Sequence, residues 1–164
     1  MKKIMFIFTA ILLASCTQVQ KPNSFECIAN NSYQPLHVFY TEDSSVLVVN
    51  YPEMILYNSS CIELKNQNDI DVFIKTLKCW ETKAKKLKKK TSLVDYKYKV
   101  NDSIYFNYPY LNYDGVRINF RNTDKLISAL TTGRTEYYEN LAEYNQYISD
   151  QQNKIDEILK EDCE

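Results

Sequence analysis

From Leu36 onward, short apolar runs alternate with polar turns, and the chain then breaks twice into longer helical periods. Leu36-His37-Val38-Phe39-Tyr40 and Val46-Leu47-Val48-Val49 flank the loop Thr41 to Ser45, a pattern that predicts a hairpin. Met54 to Tyr57 and Cys61 to Lys65 read as two more strands. In the last of these a period of two sends Ile62 and Leu64 inward and leaves Cys61, Glu63 and Lys65 outside. Asn66 to Asp69 form a cap-rich entry to a helix over about Ile70 to Lys89. Its apolar stripe is Ile70, Phe73, Ile74, Leu77, Trp80, Ala84 and Leu87, which puts Cys79 on the opposite side.

A second sheet region begins at Leu93, where Val94, Tyr96, Tyr98 and Val100 alternate with charged residues. Ile104 to Tyr108 and Tyr110 to Tyr113 follow, separated by Pro109, and Asp114-Gly115 is the clearest hairpin turn because this dipeptide takes positive φ at little cost. The partner strand is expected to bury Val116, Ile118 and Phe120 and to expose Arg117, Asn119 and Arg121. Asn122-Thr123-Asp124 caps a short helix, Lys125 to Leu130, that Gly133 is expected to close. A longer helix over about Thr135 to Lys160 carries Tyr137, Leu141, Tyr144, Ile148, Ile155 and Leu159 on one side, with a polar gap at Gln151 and Gln152. The expected class is α+β, an antiparallel sheet packed against two or three helices. Ile62-Glu63-Leu64 leading into Asp71, Ile74 and Leu77 repeats in form as Val116-Arg117-Ile118 leading into Asp124, Ile127 and Leu130, which points to two related β–α halves.

The first residues belong to none of these periods. Lys2 and Lys3 precede an apolar run from Ile4 to Leu13, too short to span a bilayer stably, and Leu13-Ala14-Ser15-Cys16 ends it. This stretch resembles the signal peptide and lipobox of bacterial lipoproteins. The resemblance, confined to the first sixteen residues, implies cleavage before Cys16, acylation of its thiol with diacylglycerol, and further acylation of the new amino group, enough chains for stable attachment to a membrane. It also implies a place outside the cytoplasm, and Thr17 rather than Asp after the cysteine points to the outer membrane if the host has two. The expected organisation is a signal peptide at 1–15, a lipidated cysteine and polar tether at 16–35, and a single domain at 36–164.

Composition narrows the chemistry. Losing residues 1–15 takes the 164-residue chain to 149 and its net charge from −1 to −3, which implies no polyanion partner. Only two glycines, Gly115 and Gly133, exclude Gly-rich phosphate loops. Beyond Cys16 there are four cysteines, Cys27, Cys61, Cys79 and Cys163. An even number in an exported chain argues for two disulfides, and the wide gaps argue against zinc. The outer-face positions of Cys61 and Cys79 suggest Cys27 with Cys61 and Cys79 with Cys163. No cofactor and no metal is expected.

Two surfaces stand out as places to bind. Tyr96, Tyr98, Tyr105, Tyr108, Tyr110 and Tyr113 form a dense run suited to stacking on sugar rings, although half-buried strand tyrosines look the same in sequence. Lys85, Lys86 and Lys89 lie in a lysine-rich helix end that suits an anionic lipid or wall polymer, or simply the negative end of the helix dipole. Export removes nucleic acid as a partner. His37, the only histidine, sits on a strand without the partners of a triad, and no carboxylate pair stands out, so no catalytic residue is assigned. The expected function is a lipid-anchored, non-catalytic binding or accessory protein of the envelope with a protein or glycan partner. The alternatives are an inhibitor or immunity lipoprotein that blocks an envelope-active enzyme and, second, a carboxylate-dependent hydrolase.

Overall fold

In the computed structural model, the described residues are 19–29, 35–50, 60–90 and 97–161. The first sheet is an antiparallel meander of β1 (Phe25–Ile28), β2 (Leu36–Tyr40), β3 (Val46–Asn50) and β4 (Cys61–Leu64), in that order. Alternation buries Leu36, Val38 and Tyr40 on β2, Val46 and Val48 on β3, and Ile62 and Leu64 on β4, all on one face. The helix α1 (Gln67–Lys90) follows β4 directly. The Asp69 amide donates to Asn66 Oδ1 at 3.1 Å while the Lys65 amide donates to Asp69 Oδ2 at 3.0 Å. The first bond pairs an amide that the first helical turn would otherwise leave open, and the second ties the residue before the cap to that turn.

The same order is then repeated. β5 (Lys97–Lys99), β6 (Ile104–Asn107), β7 (Tyr110–Tyr113) and β8 (Val116–Asn119) make a second antiparallel meander, so the fold is α+β with two four-stranded sheets rather than one. Asp114 at φ 47° and Gly115 at φ 82° form the tight turn between β7 and β8, both residues left-handed as a type I′ hairpin requires. A 3₁₀ turn over Phe120–Asn122 leads into α2 (Thr123–Ser128), a π-type turn over Ala129–Gly133, and α3 (Arg134–Glu161).

Each helix covers the sheet that it does not follow. From α1, Phe73 meets Tyr113 edge-on at 5.3 Å, and Trp80 lies 6.3 Å from Phe106 and 6.1 Å from Tyr98, all on the second sheet. From the other helical segment, Tyr137 stacks on Tyr40 of the first sheet at 5.1 Å, and the Tyr40 hydroxyl donates to the Ala129 carbonyl at 2.9 Å. The two sheets also meet directly. Asn50, only 1 % exposed, donates through Nδ2 to the Arg117 carbonyl at 3.1 Å and accepts from the Arg117 amide at Oδ1 at 2.6 Å. Its side-chain amide thus stands in for one residue of strand pairing between β3 and β8.

Several expectations change. The tether was expected to run to residue 35, yet Phe25–Ile28 pairs with β2, so Cys27 lies within the sheet. Only Ile28 of that strand is buried, which leaves no alternation to read. Asn23–Tyr138 forms one compact unit, and Glu139–Glu164 falls outside it. Gly133 does not close a helix. It sits within continuous helical turns, where a Cβ would lie 2.9 Å from Tyr40 Oη and 3.3 Å from Glu26 Oε2, so close approach, not a left-handed cap, fits glycine there. Asn119 is buried rather than exposed because its Oδ1 accepts from the Arg121 amide and caps the 3₁₀ turn. The strand expected at Met54 to Tyr57, the signal peptide, Cys16, Tyr96 and Cys163 lie outside the described residues.

Candidate binding face

The register of the second sheet sorts its tyrosines. Ile104, Tyr113 and Val116 form one inward row, and Tyr98, Phe106, Leu111 and Ile118 form the next, with α1 packed against both. Tyr105, Asn112 and Arg117 with Lys99 make an outward row, and Asn107, Tyr110 and Asn119 make another. Tyr108 belongs to the β6–β7 turn, with a cis bond to Pro109. The expected six-tyrosine platform therefore divides. Tyr113 serves the interior, and burial pushes its phenol up, helped by Asp114, whereas Tyr98 lies on the same side against Trp80 but stays 47 % exposed. Tyr105 and Tyr110 remain on the outward face.

That face is amide-rich and carries the Arg117 guanidinium. Asn112 and Asn119 are buried in its floor, while Tyr105, Asn107, Tyr110 and Arg117 are half-buried. The Arg117 guanidinium lies over the Tyr110 ring, 3.7 Å from its centroid, a cation–π pair on this face. The Arg117 backbone is fixed in turn by Asn50, so the joint between the sheets also positions this side chain. At the edge, Lys99 pairs with Asp102 at 2.6 Å, and Asn101 Oδ1 accepts from the Ser103 and Ile104 amides at 2.9 and 2.7 Å to shape the β5–β6 turn. Aromatic area, side-chain amides and a guanidinium on one rigid sheet can stack on sugar rings, hydrogen-bond hydroxyls and hold a carboxylate or phosphate.

The lysine surface is separate from this face. Lys85 pairs with Glu81 at 2.5 Å, and that carboxylate holds its ammonium pKa above the usual lysine value. Lys83 lies 4.3 Å over the Trp80 ring. Because α1 covers the inward side of the second sheet, Lys85 and Lys86 do not share a face with Tyr105 and Tyr110. The side chain of Lys89 lies outside the described residues.

On the first sheet, Cys27, His37, Val49 and Cys61 stand in one row across the four strands, on the side away from the core. Two strands separate the cysteines, so their Cα atoms are roughly 14 Å apart at ordinary strand spacing, about twice the reach of a disulfide. The expected Cys27–Cys61 bridge does not fit this register. Cys27, Cys61 and Cys79 are exposed. His37 packs with Phe25 and Phe39 at ring distances of 6.3 and 6.0 Å, and burial lowers its pKa. Asp43 is taken up in its own loop, where bonds from the Thr41 hydroxyl and the Ser45 amide hold its carboxyl below the usual range. This aromatic patch was not visible in sequence because β1 was not. Among the described residues no group of three or more His, Cys, Asp or Glu is placed to hold a metal ion, and no helix is long and apolar enough to cross a membrane. Comparison with known proteins finds no matching family model, no matching curated relative and no matching solved structure.

Proposed function

We propose that the protein is a lipid-anchored, non-catalytic binding protein of the cell envelope, tethered through Cys16, that uses the outward face of its second sheet to hold an acidic glycan. The observation that carries this reading is the strand register that gathers Tyr105, Asn107, Tyr110, Asn112 and Arg117 on one face opposite α1. The Leu13-Ala14-Ser15-Cys16 motif supports the anchor. A photo-reactive residue introduced at Tyr105 of the full chain in native envelopes tests the binding face, with the same residue at Cys79 as a control. A glycan adduct at position 105 and not at 79 is expected. A single stoichiometric protein adduct would favour the inhibitor reading instead, and adducts no stronger than the control would sink both. For the anchor, Cys16→Ala is expected to abolish acyl labelling and release the chain from the membrane fraction.

A further inference from the structure

The stripe on α3 continues past the point where the folded unit ends. Tyr137, Leu141, Tyr144, Ile148, Gln151, Ile155 and Ile158 follow one another at alternating steps of four and three residues. That spacing averages 3.5 residues, the period that keeps one seam facing a partner helix along a left-handed supercoil. Tyr137, at the start of the seam, is buried against Tyr40. Ile148, Ile155 and Ile158 are 46 %, 48 % and 58 % exposed. A helix of this length keeps an apolar seam in water only at a cost that a second helix would remove.

We infer that the second half of α3 pairs with the same helix of a second copy as a parallel, in-register, two-stranded coiled coil. Three features select a second copy over an unrelated helix. First, Leu141, Ile148 and Ile155 take the first core position of each heptad and Tyr144, Gln151 and Ile158 the second, so an in-register copy sets each seam residue against its own kind in every layer. Second, Gln151 occupies a core position in the middle of the seam. Its amide carries both donor and acceptor, so the same Gln on an in-register copy can satisfy it, whereas an apolar residue opposite would leave it unpaired. Third, the charges are placed for self-pairing. Glu143, Asp150, Asp156 and Glu157 all lie off the seam, and Asp150 and Asp156 are held there by Gln146 and Gln152 at 2.8 and 2.9 Å. Beside the seam stand Asn145, Gln152 and Leu159 on one side and Tyr147 and Lys154 on the other, so a parallel copy brings no like charges opposite each other.

Sedimentation of the full chain in mild detergent at micromolar concentration tests this. The chain is expected to run as a dimer, and Ile148→Asp with Ile155→Asp to run as a monomer with unchanged near-ultraviolet circular dichroism, because both side chains are already half exposed. Asp156→Lys, off the seam, is expected to leave the dimer intact. Independently, Gln151→Cys is expected to form an oxidant-dependent symmetric crosslink at residue 151 that the unsubstituted chain lacks, since only the parallel in-register pairing brings the two copies of that residue together. A monomeric chain, a dimer that survives both aspartates, or a dimer without the residue-151 crosslink would overturn the inference.

Discussion

Replacing Asn50 by alanine removes a side chain that completes the pairing between the two sheets. The change strips a donor from the Arg117 carbonyl and an acceptor from the Arg117 amide, at a site where Asn50 is 1 % exposed and water has little access. A buried backbone group left unpaired costs about 1–3 kcal/mol, so two of them, partly relieved by local opening, predict a loss of about 2–4 kcal/mol. Against a total stability of roughly 5–15 kcal/mol that is a large fraction, and it corresponds to a fall in melting temperature on the order of 10 °C. Asn50→Asp keeps the acceptor for the Arg117 amide but turns an oxygen toward the Arg117 carbonyl, so it is also expected to destabilise. The assay is urea unfolding of the full chain followed by tyrosine and tryptophan fluorescence, with Asn101→Ala as the reference. Asn101 also accepts two amide bonds, from Ser103 and Ile104, but in an exposed turn where water replaces it, so a loss of about 0.5–1 kcal/mol is expected there. If Asn50→Ala costs no more than Asn101→Ala, the side-chain joint is not what holds β3 to β8, and the argument fails.

Gly133→Ala raises helix propensity but sets a methyl group 2.9 Å from the Tyr40 hydroxyl, which is pinned by its bond to Ala129, so a net loss of about 1–2 kcal/mol in thermal melts is expected where propensity alone predicts a gain. The Tyr40 phenol is pushed up to about 12, first by burial and then by Glu26 and Glu136. Its folded value thus lies above its unfolded one, and its contribution to stability, whole below pH 10, should fade as the pH rises from 10 towards 12. Tyr40→Phe should lose that alkaline-sensitive part, as read by unfolding curves against pH. Peptide mapping of the unreduced chain is expected to recover no Cys27–Cys61 linked peptide, and finding one would mean that the β1–β4 order is wrong.

The parts of the fold that could be read beforehand are those where one residue's role repeats along an element. β4 shows strict alternation, α1 shows an apolar stripe, behind an Asn66 cap, that is covered from Ile70 to Ala84 while Leu87 stays 41 % exposed, and Asp114-Gly115 can hardly be anything but a tight turn. What was hidden depends on pairing across the chain. β1 buries only Ile28 and reads as linker until β2 lies beside it. Asn50 and Asn119 look like surface residues until a distant or neighbouring backbone takes up their amides. The candidate face suffered most, because a run of tyrosines carries no label for inside or outside. Only the pairing of Tyr105 with Asn112, and of Tyr110 with Asn107, separates them from Tyr98 and Tyr113, and no local signal announces that Arg117 will lie over Tyr110.

The exchange of helices between sheets has a consequence for assembly. Since α1 closes the second sheet and Tyr137 with the preceding turn closes the first, neither ββββα half carries its own lid. A ribosome or translocon delivering the chain from its amino end releases the first meander and α1 with nothing for Phe73 and Trp80 to pack on. Commitment to the fold waits until Ala129 and Tyr137 have emerged. The same dependence makes the halves obligate complements: a chain cut between α1 and β5 should regain its structure only when both pieces are present, and each piece alone should remain a substrate for proteases.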